Sequence, residues 1–526
     1  MMLSLAIWLP MLAGFLLLGF GRSLGSLAKS AASILMLGVL GISVGLLAKF
    51  DSTAKGFQFS EKVDWIRSLG TSYSLGLDGI SIWMFVLTAF LGLVAVLVSK
   101  PKERAGQFFG QILVLSGVLL GVFAALDLVL FYIFFELSLV PVALLILGWG
   151  RGDRKRAATR YLAMLFGGSL LMLLAIIAVG VQYSAVTRTA SMSIVDIQSV
   201  VASGKLWAGK EQLENLAFWG FLLAFLIKSP AVPGHSWLAS TYESAPVGAT
   251  IAGVVLKVGT YGLFRFCLPL FPHAAAANAP FVTFLGVLGI LYGGILAINQ
   301  KNVFRVMAFS TISHVGFILI GLFSFSHVGM VGASFQQFNH GLASAAVFVL
   351  LSFLMERGFS GEFSELGGLK RSMPVFASLF MIAMLANLGL PLTSGFVGEI
   401  LAMMGSFESG FANALGLNVG YAVAAGAGAI LSASYMLYAY QRMFYGEAKS
   451  TEIKDLNLTE TLVGGVFAVA IMVGGILPTF ILQRMDQSVA VTGSAVKPNS
   501  GTTWAEGGGE IDSSRIYAVV SQGEAK

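Results

Sequence analysis

The sequence predicts an all-α polytopic membrane protein. Three observations support this class: the composition, a succession of long apolar segments, and an uneven distribution of basic residues between those segments. Of the 526 residues, 56% are hydrophobic and only 11% are charged, whereas about 25% of the residues of soluble domains are charged. A soluble chain of this composition would lack the polar surface needed to cover its core.

Fourteen apolar segments are each long enough to cross a bilayer, for which a helix needs roughly 20 residues. We predict spans near residues 3–21, 30–48, 78–99, 108–126, 128–149, 159–182, 215–238, 247–268, 280–298, 303–323, 328–355, 374–401, 418–440 and 461–482. The first lacks a basic start and a small-residue cleavage site, so we interpret it as a span rather than a signal peptide. Asp127 alone separates the fourth span from the fifth.

The lysine and arginine residues between the spans are concentrated on one side of the predicted membrane. The loops on that side carry eighteen of them, and the longer loops on the opposite side carry seven. By the positive-inside rule, the richer side faces the cytoplasm. An even number of spans then places both termini on the periplasmic or outer side. We therefore expect a multi-pass protein of a bacterial-type inner (plasma) membrane.

Two of the spans are interrupted. Span 215–238 breaks at Pro230 and Pro233 within IKSPAVPGH, and span 374–401 breaks within NLGLPLTSGFVGE. In lipid, a broken helix is tolerated only where protein or a water-filled cavity takes up the freed backbone groups. The breaks therefore predict an internal polar path.

The two breaks occupy matching places in two groups of five spans. Residues 108–268 contain spans 4–8, residues 280–440 contain spans 9–13, and the fourth span of each group is broken. Because five is odd, the second group must be inverted in the membrane relative to the first. We therefore predict two inverted five-helix repeats, the pattern with which secondary transporters place an ion path at the membrane midplane.

Three further parts complete the predicted organisation. Residues 1–107 hold spans 1–3 and their connecting loops, and residues 461–482 form the fourteenth span. The tail at 483–526 is rich in Gly, Ser and Thr. A segment of this composition is expected to be a flexible appendage.

Seven ionisable residues within the predicted spans or beside a break matter most, and all are of types that can gain and lose a proton. They are Glu136, Lys228, His235, Lys257, His314, His340 and Glu399. A charge at the bilayer centre costs about 2.5–3.5 kcal/mol on insertion scales, so such residues mark transport paths by default.

Structural roles for these residues remain open from the sequence. A lone histidine such as His340 can simply hydrogen-bond a neighbouring helix. Glu136 and Lys257 can form a static ion pair that fixes helix packing. Arg265, near a helix end, is expected to extend its head group to the membrane interface without a role in transport.

The composition excludes several classes of site. The single cysteine, Cys267, excludes a disulfide framework, a Cys-rich zinc site and an iron–sulfur cluster within this chain. The five histidines form no metal-ligand spacing, and no glycine-rich nucleotide-binding fingerprint is present. The net charge of +6 lies mostly in loops and speaks to topology, so we expect no nucleic-acid partner. We expect neither a metal nor a cofactor in this chain.

A series of motifs between about residues 108 and 446 carries a family resemblance. In order they read FFELSLVP, IKSPAVPGHSWL, ESAPVGATIAGVVLKVGTYGLFRF, VFRVMAFSTISHVGF, QQFNHGLASAAVF, ELGGLKRSMPVF and ANLGLPLTSGFVGE. In content and spacing they resemble the antiporter-like subunits of respiratory complex I, the proton-pumping NADH:quinone oxidoreductase.

The resemblance implies a role for each matching residue in the first half. Glu136 and Lys228 would be the interacting pair at the entrance of a proton path, and Lys257 would be its central relay.

In the second half, His314 and His340 would carry the polar axis onward, and Glu399 would be the terminal acid toward the periplasm. A glutamate at this last position is typical of the chain-M (chain-4) type, whereas its paralogues and the multisubunit sodium/proton antiporters usually carry lysine.

One loop departs from the family pattern. His235 matches the family histidine after the first break, but the usual HxWLPDAH is replaced here by HSWLASTY. Ala239, Ser240 and Tyr242 therefore stand where the family has proline, aspartate and a second histidine. The cytoplasmic part of the proton path is the place where this chain is expected to differ.

The resemblance also implies partners. Other membrane-arm subunits of complex I, including paralogous antiporter-like chains, would surround this chain in the lipid bilayer, and NADH, FMN, iron–sulfur clusters and quinone would belong to partner subunits. The chain itself would translocate protons as a subunit of the translocase, without redox chemistry of its own. Two alternatives remain: a subunit of a multisubunit Na⁺/H⁺ antiporter, or of a ferredoxin- or hydrogenase-linked ion pump.

Overall fold

The computed structural model describes residues 1–24, 27–246, 257–448 and 453–495. Almost all of the regular structure in these residues is helical, so the predicted class is confirmed. Part of the expected eighth span, 247–256, and the end of the tail, 496–526, lie outside the described residues.

The described residues up to 246, which include the first break, contain ten α-helices and one hairpin. They are α1 Met2–Leu24, α2 Leu27–Ala48, β1 Gln58–Ile66, β2 Thr71–Leu77, α3 Ser81–Val98, α4 Ala105–Ala124, α5 Leu128–Leu137, α6 Leu139–Trp149, α7 Arg154–Thr187, α8 Ile194–Ala202, α9 Glu211–Lys228 and α10 Leu238–Ser244.

The remainder begins with helical residues 257–262 (α11) and a π-helical turn, Leu263–Cys267. Then follow α12 Leu268–Leu270, α13 Pro272–Ala277, α14 Ala279–Ile298, α15 Val303–Leu322, α16 His327–Glu356, α17 Leu369–Ser372, α18 Pro374–Asn387, α19 Ser394–Phe411, α20 Val419–Phe444, α21 Leu458–Ile476 and α22 Thr479–Ala495.

Eleven helices in the described part are long and apolar enough to cross a membrane. They coincide with eleven of the expected spans. The other three expected spans are the two broken ones and 247–268, which is only partly described. The count of fourteen and the inversion of the two repeats therefore stay predictions.

Asp127 divides the fourth span from the fifth, as expected. Its carboxylate accepts hydrogen bonds from the backbone N–H groups of Val129 and Leu130 at the start of α5. The second carboxylate oxygen accepts from the Ser72 N–H at 2.9 Å. An acidic N-cap satisfies amide groups that a helix leaves free at its first turn, so this buried aspartate stabilises the division between the two spans.

Both predicted breaks are present. After α9 the chain leaves the helix at Ser229, and the Trp237 indole N–H donates to the Ile227 carbonyl at 3.0 Å. After α18 it leaves the helix at Leu388, and the Thr393 hydroxyl donates to the Leu390 carbonyl at 2.6 Å. In both cases protein groups take up backbone atoms that the helix no longer pairs, as the membrane interior requires.

Loops predicted to share a side of the membrane do meet. On the side expected to be cytoplasmic, Lys100 pairs with Glu356 at 2.8 Å, although 256 positions separate them. At the opposite end of the bundle, the Gly79 N–H donates to the Ser488 hydroxyl at 2.8 Å. The alternation of the spans is therefore consistent with the structure, while the side that faces the cytoplasm remains a prediction.

The antiparallel hairpin β1–β2 was not anticipated. Val63 pairs with Tyr73, and Leu75 and Leu77 are fully buried beneath the hairpin. Strand β2 continues the sheet toward α5, because the Leu126 N–H donates to the Ser74 carbonyl at 2.8 Å. Its sequence, TSYSLGL, has the alternation of polar and apolar residues that is typical of a half-buried strand. In so apolar a chain, however, this short segment is hard to distinguish from a loop.

The expectation of a flexible tail from residue 483 is wrong for 483–495. Pro478 ends the fourteenth span early, and α22 begins at Thr479 and continues to Ala495. Met485 and Val489 are fully buried, at the four-residue spacing that places side chains on one helix face. This apolar stripe packs against α16, so the first part of the tail belongs to the folded body.

The expectation for Arg265 is also wrong. Its guanidinium does not reach the membrane interface but lies 2.6 Å from the Asp78 carboxylate, with both side chains about 5% exposed. Its Nε–H donates to the Tyr261 hydroxyl at 3.1 Å. The sequence suggested an interfacial arginine because Asp78 is 187 positions away, and only the tertiary fold brings the two residues together.

Candidate functional site

Lys257 lies at the centre of the described structure. Its side chain is fully buried, and its Nζ atom is 2.7 Å from Nδ1 of His340, which is 2% exposed. No contact of 4.0 Å or less joins Glu136 and Lys257 in the described residues, so the alternative of a static ion pair between them is not formed. A lysine and an imidazole in direct contact can exchange a proton, because each has a neutral form that accepts one.

The polar line continues from His340 to His314 and Glu399. The two imidazole rings meet edge to face with their centroids 4.9 Å apart. Nδ1 of His314 then lies 2.8 Å from an oxygen of the Glu399 carboxylate, with the two side chains 1% and 4% exposed. Four of the seven predicted residues thus form one continuous buried line.

Three mutually packed helices hold the second half of this line. His314 is on α15, His340 on α16 and Glu399 on α19, and each of these helices contacts the other two. Small residues allow the close approach: a Cβ added at Gly398 would lie 2.4 Å from the amide oxygen of Gln336. Such small residues are characteristic of tightly packed membrane helices.

Side chains that the sequence analysis did not single out complete the network around Glu399. The Gln336 amide donates to the carboxylate at 3.1 Å, and the Asn339 amide donates to the Gln336 carbonyl oxygen at 3.1 Å. The Ser394 hydroxyl in turn donates to Asn339. The sequence signal was QQFNHG, which places Gln336 one helical turn before His340.

Lys228 ends α9 directly before the first break and is 1% exposed. Its ammonium group donates to the Ser138 hydroxyl at 3.0 Å and lies 4.6 Å from the centre of the Phe135 ring. Both contacts come from the point where α5 gives way to α6. A cation over an aromatic face is stabilised electrostatically, so the lysine is held without a carboxylate.

Glu136 does not form the expected direct ion pair with Lys228. The structure has no contact of 4.0 Å or less between them, and the half-buried Glu136 carboxylate lies instead beside Ser169 of α7. Because α5 ends at Leu137, the turn at Ser138 presents the serine hydroxyl rather than the glutamate to Lys228. The Lys228 charge still acts on Glu136 through space.

His235 stands apart from the buried line. It is half-buried in the first break, and its ring meets Tyr292 edge to face at 5.2 Å. It lines a cavity of about 760 Å³ on the side expected to be cytoplasmic, together with Arg305 and Glu243 of neighbouring segments. In the described residues it contacts none of the other six predicted residues.

Several buried polar atoms along this line have no hydrogen-bond partner in the described residues. They are Oε1 of Glu136, Nε2 of His314, Nε2 of His340 and the amide nitrogen of Gln337, and Nδ1 of His314 lies 2.8 Å from the Glu399 carboxylate without the geometry of a hydrogen bond. Native proteins pair almost all buried polar atoms, and buried water commonly supplies the missing partner. The line is therefore suited to hold water between its titratable groups.

Within the described residues no group of three or more His, Cys, Asp or Glu side chains is placed to hold a metal ion. The buried line runs instead from an ammonium group through two imidazoles to a carboxylate. Its chemistry is that of a buried path for protons.

Residues 125–425 match the family described as NADH:quinone oxidoreductase/Mrp antiporter, TM. The chain is also 35% identical over 497 residues to subunit M of NADH-quinone oxidoreductase from Rickettsia prowazekii, which covers 93% of this chain and 97% of that protein. The chain belongs to this family. The buried line therefore lies within the part that defines the family.

Relatives and solved structures extend the likeness. Subunit M of F(420)H(2) dehydrogenase from Methanosarcina mazei is 33% identical over 489 residues, covering 92% of this chain and 96% of that one. A chain of respiratory complex I from Thermus thermophilus with bound NADH has a TM-score of 0.83 and 28% identity, covering 94% of this chain and all of that one.

Proposed function

We propose that this chain is a proton-translocating membrane subunit of NADH:quinone oxidoreductase, of the subunit M type. It couples electron transfer elsewhere in the complex to proton pumping through buried glutamate, lysine and histidine residues. The observation that carries the proposal is the continuous buried line from Lys257 through His340 and His314 to Glu399.

In the proposed path, protons enter near Glu136 and Lys228, pass to Lys257 and leave by Glu399 toward the periplasm. The driving force is electrostatic: two unit charges about 4 Å apart interact by about 4 kcal/mol at an effective dielectric of 20. Adding or removing a proton at one member therefore changes the proton affinity of the next. The two helix breaks provide the hydration and local movement that such a path needs.

The redox chemistry is assigned to partner subunits. NADH, FMN, iron–sulfur clusters and quinone would bind there, because the groups gathered on this chain's buried line carry protons rather than electrons. The partners would include other membrane-arm subunits and paralogous antiporter-like chains. The complex would lie in a bacterial-type inner membrane with both termini of this chain on the periplasmic side.

Two observations support an alternative function. The matching family includes Mrp antiporters, and the Methanosarcina relative takes its name from F(420)H(2) dehydrogenase rather than from an NADH enzyme. An antiporter subunit would use the same residues to exchange Na⁺ for H⁺ without an electron donor. Purification of the tagged chain separates these alternatives: NADH- and quinone-module subunits should copurify with it, and small antiporter subunits should not.

The substitution that tests the proposed path is Glu399→Gln, which keeps the size of the side chain and removes its exchangeable charge. We expect at least a tenfold lower rate of NADH-driven proton pumping in membrane vesicles, about the lower end for loss of an acid–base group. Glu408→Gln is the matched control, since Glu408 lies on the same helix, α19, close to its end at Phe411. Equal, negligible effects of the two changes would remove Glu399 from the path.

A further inference from the structure

Tyr242 lies on α10, in the loop where this chain departs from its family's motif. The side chain is fully buried, and its hydroxyl has no hydrogen bond of acceptable geometry in the described residues. A phenylalanine would fill the same space without burying an unpaired hydroxyl, which costs free energy. Packing alone therefore does not explain why this position carries a tyrosine hydroxyl.

The hydroxyl of Thr311 lies beside that of Tyr242. Thr311 is fully buried on α15 and donates its own proton to the Met307 carbonyl at 2.9 Å. A hydroxyl that donates once can still accept, so Thr311 has a lone pair available toward Tyr242. His314 follows Thr311 by three positions, which places the two side chains on the same face of α15.

His314, three positions after Thr311 on α15, carries a second unpaired polar atom. Nε2 of His314 is buried and has no partner in the part of the chain that the structure describes, while Nδ1 of the same ring faces Glu399 at 2.8 Å. Thr311 thus lies beside one buried unpaired polar atom and on the same helix face as a residue that carries another. Water can join such atoms into a hydrogen-bonded chain.

Two cavities open near Tyr242 on the side expected to be cytoplasmic. Ser240 and Glu243, its neighbours on α10, line the cavity of about 760 Å³. The Tyr242 ring meets Phe348 edge to face at 4.5 Å, and Phe348 lines a second cavity of about 400 Å³. Tyr242 therefore adjoins residues that line both cavities.

We propose that Tyr242 and Thr311 form a second cytoplasmic entrance, through which a proton reaches His314 in each pumping cycle without passing Lys228. Because every cycle also needs the proton that enters at Lys228, closing either entrance stops pumping. A proton from cavity water binds the Tyr242 hydroxyl oxygen as that group releases its own proton to the Thr311 oxygen. Thr311 turns its hydroxyl from the Met307 carbonyl and passes its proton to Nε2 of His314. Neither hydroxyl changes its charge, and one proton is gained by the imidazole.

This inference rests on the proposed function, because it assumes that His314 and Glu399 carry protons. The test is Tyr242→Phe in membrane vesicles that contain the whole complex, with NADH as electron donor. We expect at least a tenfold lower rate of proton pumping at an unchanged amount of assembled complex. Tyr440→Phe is the matched control, because it removes a buried hydroxyl that is already paired with the Ala377 carbonyl, and it should pump normally.

Three further variants separate a proton path from a packing effect. Thr311→Val keeps the branched shape and should lower pumping as much as Tyr242→Phe, and the double variant should be no worse than either, since both residues act in one series. Tyr242→His, which restores an exchangeable proton, should pump at least fivefold faster than Tyr242→Phe. If Tyr242→Phe prevents assembly, the Thr311→Val result decides.

Normal pumping by Tyr242→Phe or by Thr311→Val, beside a defective Glu399→Gln complex, would overturn the second entrance and leave the proposed function intact. Multiplying defects in the double variant would also overturn it, since the residues would then act separately. Normal pumping by all of these variants, Glu399→Gln included, would count against the proposed function itself.

Discussion

Nδ1 of His314 lies 2.8 Å from a carboxylate oxygen of Glu399, although the two residues are 85 positions apart and belong to different helices. The contact brings a base and an acid together beside the second helix break, where both are almost completely buried. Because both side chains are almost completely buried, a change of charge on either residue strongly affects the other. This pair is the element on which the proposed exit of the proton depends.

Replacing Lys257 by methionine should interrupt the line at its centre. The change keeps the length of the side chain but removes the group that contacts His340 at 2.7 Å. We expect at least a tenfold loss of NADH-driven proton pumping in vesicles. Lys301→Met, at an exposed loop lysine, is the control and should pump normally; a normal rate for Lys257→Met as well would contradict a central role.

Removing the Ser138 hydroxyl should weaken the hold on Lys228. Hydrogen bonds to charged groups are worth about 1.5–3 kcal/mol, and Ser138 provides the only one that Lys228 makes in the described residues. We expect Ser138→Ala to lower pumping by less than Lys228→Ala, which should abolish most of it. Ser116→Ala serves as comparison, since that hydroxyl bonds only a backbone carbonyl of its own helix. Equal rates for all three variants would argue against a role for Lys228 at the entrance.

Gly389 in the second break should not tolerate a side chain. It has a left-handed φ of +70°, and an added Cβ would lie 2.6 Å from Oε2 of Glu399. Gly446 has a comparable φ of +84° with no heavy atom within 4 Å, so Gly446→Ala carries the backbone strain alone. In a pumping assay Gly389→Ala should displace the carboxylate and fail, whereas Gly446→Ala should pump; matching behaviour would show that only the strain matters.

The buried pair of Asp78 and Arg265 should be a determinant of stability. Removing one partner of a buried ion pair costs about 3–5 kcal/mol, because the other charge is left uncompensated. We expect Asp78→Ala to lower the temperature at which the purified complex unfolds and the yield of assembled complex. The double variant Asp78→Ala/Arg265→Met should be more stable than Asp78→Ala. A double variant less stable than the single one would contradict this account.

Much of the fold could be predicted because the signals are local. Each span needs only an uninterrupted apolar segment of sufficient length. Asp127 and the proline-containing breaks can likewise be recognised from a few neighbouring residues. The hairpin β1–β2 and the packed helix α22 escaped because their apolar residues are weak signals against an apolar background. In α22, for example, Met485 and Val489 stand among polar residues, and only the neighbouring α16 shows that they are buried.

The candidate site divides in the same way. The sequence by itself determined the membrane class and the seven ionisable positions, because a buried charge stands out wherever an apolar helix carries it. Only the tertiary structure decided which side chains are paired: Lys228 binds Ser138 instead of Glu136, Arg265 binds Asp78, and His235 lies apart from the line. Such pairings depend on how helices rotate and kink against neighbours that are distant in the sequence, so they cannot be derived from any one segment. Hydrophobicity, in contrast, is a property of each segment alone.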